Sequence, residues 1–546
     1  MGGTFPTALA QYHGETIYGD DRSQISPAIA TRPTAAPMIV GNSFNGLFPA
    51  TFRPFSFEES PLALPSTFIG YEFGLGNLRM LAAANSSSDT KVGVAGVCRP
   101  VTGTGDDAFF TDIGTNLADN LQQMLFFKVP GNDRPNKIIE LQDNSFLMVG
   151  SNTSVTGNIG TSWIARISPR PDYRPIFRTT IGNPQGPVSA GEGAITVVQS
   201  NSKTLLVAGN TFQFSTGAEG SIYIAEMNMT GGLKSFHTYR IQNGVLKPKV
   251  TDMVLMPDGS LTLVGITNIS GDPDHFGFVM TVTADLSSAT FKEFSQPGNT
   301  TSGLTMNAAV LEPGTNNVYV AGMIQLPHGG TIKQSGLLMK IVPPIQPVIA
   351  NSYDFFGGNE QFNGILFRDN NATIEAVGTA DVLPPNIVGP DGTNIWTQRL
   401  NTDLAACRTQ SVALQFDTKS VVHATVTPPI QQDTTEIFAT LALSADPIGS
   451  LFPCAIISKM ASGGTASKPA SVTVTPMTEN HDAKVKLDKE VKAAQVSLTH
   501  DSGKLISEWI MTGDELTMNL HGLPAGMYFV AVQQGDHQST HKLLIP

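Results

Sequence analysis

Apolar and polar positions follow one another along this chain in a short unit that keeps returning. In VTDMVLMPDGSLTLVGITN, residues 250–268, an apolar run meets a Pro257-Asp258-Gly259 turn and then a second apolar run closing in Val264-Gly265. The same shape recurs in KIIELQDNSFLMVGSNT, AITVVQSNSKTLLVAGNT, NAAVLEPGTNNVYVAGMI and NGILFRDNNATIEAVGTA, and more weakly in PAIATRPTAAPMIVGNS and RMLAAANSSSDTKVGVAGV. The glycine that ends the second run stands at 41, 96, 150, 209, 265, 322 and 378, so the unit returns every 54 to 59 residues. Such a period marks a repeat architecture, in which each unit is one supersecondary element.

A third apolar stretch follows in the central units, as in SWIARIS, SIYIAEM, FGFVMTV and SGLLMKIV, and then a more polar fourth, as in PIFRTTIGN or TFKEFSQPG. Three apolar strands and a polar outer one fit the blades of a β-propeller, whose inner strands are covered on both faces and whose edges resist pairing with other chains. An array of separate sandwiches is disfavoured, because a unit this small buries too little surface to stand alone. VVHATVTPPIQQDTTEIFATLALS and CAIISKM, within 421–460, read as an eighth and degraded unit, while QYHGETIYGDD near the N-terminus reads as a fourth strand that joins it and closes the ring. The pattern predicts an all-β chain with eight blades, seven being the alternative, over residues 1–460.

A linker rich in small residues follows at 461–470, and the alternation then changes. SVTVTP, AKVKLDKEV, AQVSLTHDSGKLISEW, LTMNL and GMYFVAVQQ alternate strictly, as half-buried strands do, and predict a small β-sandwich over 471–546. Asp501 and Gly503 mark a tight turn, Leu523, Gly526 and Tyr528 belong to LTMNLHGLPAGMYFVAV, and Lys542 opens the terminal KLLIP. In this order the features resemble the type A C-terminal sorting domain of type IX secretion substrates in the Bacteroidota. That resemblance implies export across the outer membrane, a secreted or surface location, and the type IX translocon or an outer-membrane shuttle protein as a partner. The opening VTPMTEN departs from the family's usual start, which leaves the cleavage point open. The repeats resemble those of secreted propeller proteins more loosely, with no activity implied.

Composition sharpens this picture. Charged residues make up 14%, the net charge is −12 and no basic cluster occurs, so the chain offers little to a nucleic acid backbone. No apolar run is long enough for a helical membrane span. Ala8-Leu9-Ala10 has the spacing of a signal-peptidase site, but no signal peptide is visible before it.

Candidate chemistry is sparse. No metalloprotease, hydrolase-elbow or phosphate-loop motif occurs, and the sequence implies no cofactor. Thr156, Asn158, Gly160, Ser162 and Trp163 imitate a sialidase-type turn once, and are read as a turn alone. Asp272 and Asp274 offer a weak calcium site in an Asp-Pro loop. Cys407 and Cys454 stand before the third strands of neighbouring units and are candidates for one disulfide.

In the first, second and seventh units the third strand is read about 28 to 34 residues after the glycine, against about 11 to 15 elsewhere. The intervening stretches carry Phe52, Phe55, Phe57, Phe109, Phe110 and Trp396, which are candidates for a partner-binding surface as well as for packing. These readings predict a non-enzymatic surface protein that binds a glycan or protein or assembles with itself. The alternatives are an extracellular glycan hydrolase or lyase and a subunit of a surface filament.

Overall fold

The computed structural model describes residues 14–545 apart from short connecting stretches, the longest being 183–192, 382–392 and 455–471. Among the described residues there is no helix. The chain divides into two compact units, with the change at Pro453 and Cys454.

The first unit holds seven five-stranded antiparallel sheets. Numbered along the chain, their first strands are Ser23–Ala30, Gly76–Ala83, Asn132–Glu140, Gly193–Gln199, Leu246–Leu255, Leu304–Leu311 and Glu360–Arg368. Each first strand contacts the next, and the seventh contacts the first. The apolar core follows the same cycle. One cluster fills each junction between neighbouring sheets, including Ile39, Phe55 and Phe57 of sheet 1 against Val377 and Ile395 of sheet 7.

The repeating glycine has a steric cause. In every sheet it faces a large residue on the third strand: Phe55, Phe109, Trp163, Tyr223, Phe278, Leu337 and Trp396 stand opposite Gly41, Gly96, Gly150, Gly209, Gly265, Gly322 and Gly378. On its other side the first strand bulges. Asn136, Ile195, Thr251, Asn307 and Asn363 are each an extra residue beside the glycine, and Leu81 is another. The bulge brings a carbonyl oxygen so close that a Cβ on Gly96, Gly209, Gly322 or Gly378 would lie 2.1, 2.0, 2.0 or 1.8 Å from it. No side chain fits there.

The bulged residues also tie the sheets together. Asn136 donates through Nδ2 to the Ala194 carbonyl (2.8 Å) and Asn307 to that of Phe362 (2.8 Å), each acceptor lying on the next sheet at the corresponding place. Thr251 does the same to Met306. Between sheets 1 and 2, Asn42 both donates to the Met80 carbonyl (2.7 Å) and accepts from its amide (2.8 Å).

The expected eighth unit is not a sheet of its own. Residues 409–454 form a belt that supplies one outer strand to each of the seven sheets, in reverse order. Thr409–Ser411 adds to sheet 6, Gln415–Lys419 to sheet 5, Val421–Thr425 to sheet 4 and Ile430–Gln432 to sheet 3. Glu436–Thr440, Ala442–Asp446 and Gly449–Cys454 then cap sheets 2, 1 and 7. In sheet 7 the fourth place belongs to Gly14–Gly19, which pairs with Thr393–Asn401. The belt was read as a unit because its strands are apolar enough to pair, but they are too short and too far apart to pair with one another.

The second unit has five strands around a separate core. Asp482–His500 is long and bulged, and pairs with Val472–Met477, Leu505–Asn519 and Gly526–Gln534; His537–Ile545 completes the sheet. Every second residue is buried, as in Ala483, Val485 and Leu487 or Tyr528, Val530 and Val532. This is the alternation read in the sequence.

The close approach at the glycines predicts a contrast. Gly378→Ala meets only backbone atoms and should cost about 3 kcal/mol or more. Gly314→Ala, with φ at +75° and open space around it, should cost about 1–2 kcal/mol from backbone strain alone. Chemical unfolding of the two variants measures both, and equal costs would contradict the close approach.

Candidate functional site

The first strands of all seven sheets line a single cavity of ≈ 1040 Å³. Its walls are set by the bulge, because the residue after each bulge occupies the same place in every sheet. In sheets 3, 4 and 5 that residue is Lys137, Thr196 and Asp252; in sheets 6, 7, 1 and 2 it is Ala308, Gly364, Ala28 and Ala82. Side chains therefore fill one side of this layer and leave the other open. Beyond it Ile139, Val198, Leu255 and Val310 give an aliphatic wall, and Asn85, Gln142 and Asn144 make a polar rim.

Asp252 is the hub of the filled side. Its carboxylate, 5% exposed, accepts from Lys137 Nζ at 3.0 and 3.2 Å, from Thr196 Oγ1 at 2.9 Å, from the Met253 amide at 2.9 Å and from the Ala309 amide at 3.1 Å. Four neighbouring sheets, 3 to 6, meet at one side chain. Such a carboxylate is committed to structure, since each donor lost would leave a buried polar group unpaired.

Glu140, the other carboxylate on the cavity wall, is held from behind. Arg170 reaches it at 3.2 Å and grips Asp112 with two bonds, Nε to Oδ2 at 2.8 Å and Nη2 to Oδ1 at 3.0 Å. Tyr173 donates to the same Asp112. Burial opposes the Arg170 charge, but the two carboxylates outweigh it and hold the guanidinium charged. Burial, and then the facing Asp112, push the Tyr173 phenol far above its ordinary range. The network packs sheets 2 and 3 together and leaves little free acid–base capacity.

The residues singled out in the sequence fall elsewhere. Phe55 and Phe57 lie on the third strand of sheet 1, Thr51–Glu58; Phe109 and Phe110 on that of sheet 2, Asp107–Gly114; Trp396 on that of sheet 7. All five are fully buried, so they form the junction cores and present nothing to a partner. The supposed insertions contain the third strands themselves, whose Arg53, Ser56, Glu58 and Arg399 disguise them as loops. Phe52 shares the first of these strands, with its backbone opposite Phe44. Ser162 and Trp163 also stand in a strand, not in a turn. Asp272, Asp274 and Cys407 lie outside the described residues, as do Asp501 and Gly503; Cys454 ends the belt strand on sheet 7. Lys137 and Asp252 were missed, although a charged residue inside an apolar strand was a legible signal in NKIIEL and VTDMVL.

In the second unit Tyr528 is buried and donates its hydroxyl to the Pro524 carbonyl at 2.9 Å. Leu523 packs on the same core, with its amide on the Leu520 carbonyl at 3.2 Å. Gly526 pairs with Ile545 and Lys542 with Phe529. Two core contacts and two register points thus fix the terminal hairpin.

Residues 476–546 match the family described as secretion system C-terminal sorting domain. The second unit belongs to the type IX sorting domains, and the chain is exported to the cell surface or secreted. No curated protein matches the chain. Among solved structures, a protein of unknown function from Dyadobacter fermentans is 10% identical, with 71% of this chain and 98% of that one covered and a TM-score of 0.37. A mannose phosphorylase from Leishmania mexicana is 9% identical, with 70% and 86% covered and a TM-score of 0.27.

Asp252→Ala should destabilise the first unit by about 3–5 kcal/mol, because it leaves buried donors unpaired. Asp252→Asn should recover part of that loss. Thermal unfolding measures both, and a loss below about 1 kcal/mol would show that the hub does not hold the sheets.

Proposed function

We propose that the first unit is a seven-bladed β-propeller, closed by Gly14–Gly19 and the belt, and that it acts at the cell surface of a Bacteroidota bacterium by binding, not by catalysis. The linker around 461–470 then joins it to the sorting domain, which the type IX machinery reads. The cavity at the centre of the seven first strands carries this reading. Its open side lies along Ala28, Ala82, Ala308 and Gly364, and its amide rim and aliphatic wall suit a surface glycan chain or a protein segment. Glycosidic cleavage needs two carboxyl groups free to act as acid and base. Both carboxylates on the wall, Asp252 and Glu140, are instead neutralised by Lys137 and Arg170, which favours binding.

The test uses the full chain with polysaccharide from the producing cells. Retention of the polysaccharide without shortening is expected, and Ala83→Phe, which fills the cavity wall, should weaken it by at least about tenfold, or 1.4 kcal/mol. Release of shortened sugar by the wild type would support the hydrolase instead. Separately, removal of residues 472–546 should abolish surface delivery while the first unit accumulates folded inside the cell; unchanged delivery would overturn the role of the tail.

A further inference from the structure

The belt crosses sheet 4 at a pair of histidines. His237, on the fourth strand Leu233–Ile241, pairs with Thr425, and Tyr239 pairs with His423 on the belt strand. The two histidines are therefore diagonal neighbours on one face of an antiparallel pair, within reach of each other. Their rings lie 15° from parallel, and His237 Nδ1 stands 2.9 Å from His423 Nε2. Both side chains are half-buried, and His237 opens onto a cavity of ≈ 450 Å³.

The two nitrogens share one hydrogen bond, and once its proton is displaced they are the donor set of a chelate. With metal–nitrogen bonds of about 2.0–2.1 Å, a 2.9 Å separation subtends about 90° at the metal. That is the angle between neighbouring ligands in a tetragonal Cu²⁺ site, which the two half-buried rings reach by turning away from their shared hydrogen bond. A tetrahedral Zn²⁺ would require the nitrogens to part by about 0.4 Å. The surroundings favour a cation. Glu226 from the third strand of sheet 4, Asp258 from the hairpin turn of sheet 5 and Asp285 from its next turn line the same cavity. Lys234 is engaged with Glu226, and the Tyr239 ring meets that of His423 in a tilted contact. Burial, and then His423, hold the His237 imidazole below its ordinary pKa.

We propose that His237 and His423 form a two-imidazole site for a divalent transition-metal ion, Cu²⁺ ahead of Zn²⁺, which clamps the belt to sheet 4. Each histidine coordinates through the nitrogen that now faces the other, with its proton held on the far ring nitrogen, and water completes the shell. The ion joins two strands 186 residues apart in the chain and fixes the belt near its middle.

The test is a Cu²⁺ titration of the full-length protein at pH 7.5, followed by electron paramagnetic resonance. One ion with two coupled equatorial nitrogens is expected, and bound Cu²⁺ should slow hydrogen exchange in Val421–Thr425. His237→Asn and His423→Asn should each lower the affinity by at least about tenfold, since one of two imidazoles is gone. His541→Asn, in the second unit, should leave it unchanged. At pH 5.5 protons compete for the imidazoles and binding should fall. Affinity unchanged in both folded single variants, or a bound ion without two-nitrogen coupling, would overturn the proposal.

Discussion

A backbone carbonyl sits where a glycine's Cβ would be, and this close approach recurs at every repeat glycine from Gly96 to Gly378, while at Gly41 the neighbour is the Phe55 ring. Much of the first unit follows from it. The glycine lets an aromatic ring or Leu337 lie across the second strand, and it lets the first strand bulge. The bulge turns side chains such as Asn136, Thr251 and Asn307 toward the next sheet, where they bond its main chain. It also sets the step at which Lys137, Thr196 and Asp252 enter the centre. Packing between sheets, the cyclic series of first strands and the polar layer of the cavity are consequences of one local constraint.

The belt solves a second problem. Seven separate sheets would each present an unpaired outer edge, open to other chains. One continuous segment, running against the order of the sheets, covers them all and binds the first to the last. Each of its strands pairs with a different sheet, so the whole segment is held only when every sheet is in place. Each backbone hydrogen bond contributes about 1 kcal/mol or less, but the bonds are shared among seven sheets. Among its described side chains, from Thr409 to Gln431, the exposed ones are mostly polar, apart from Phe416, Val422 and Ile430.

Much of this was legible in the residues and some was not. The spacing of Gly41 to Gly378 announced seven equivalent strand pairs, and strict alternation after residue 471 announced the second unit. The third strands around Phe55, Phe109 and Trp396 were hidden, because buried polar residues such as Ser56, Asp112 and Arg399 interrupt their apolar runs. The belt was misread for a related reason. Strand pairing is a long-range property, and a short run such as VVHAT carries no mark of whether it pairs with its neighbour or with a strand 186 residues away. The cavity layer depends on the bulge, which appears in no local pattern, so Asp252 and Lys137 stood in plain view without being joined.

The sorting domain marks the chain for export, and the first unit encloses a cavity lined by the first strands of all seven sheets. Seven sheets packed side by side are girdled by one segment. Hydrogen exchange across residues 409–454 of the full chain tests this most directly. Slow exchange is expected at the paired amides of this segment, although its side chains from Thr409 to Thr425 are largely exposed. Rapid exchange throughout the segment, with the seven sheets still protected, would contradict the belt.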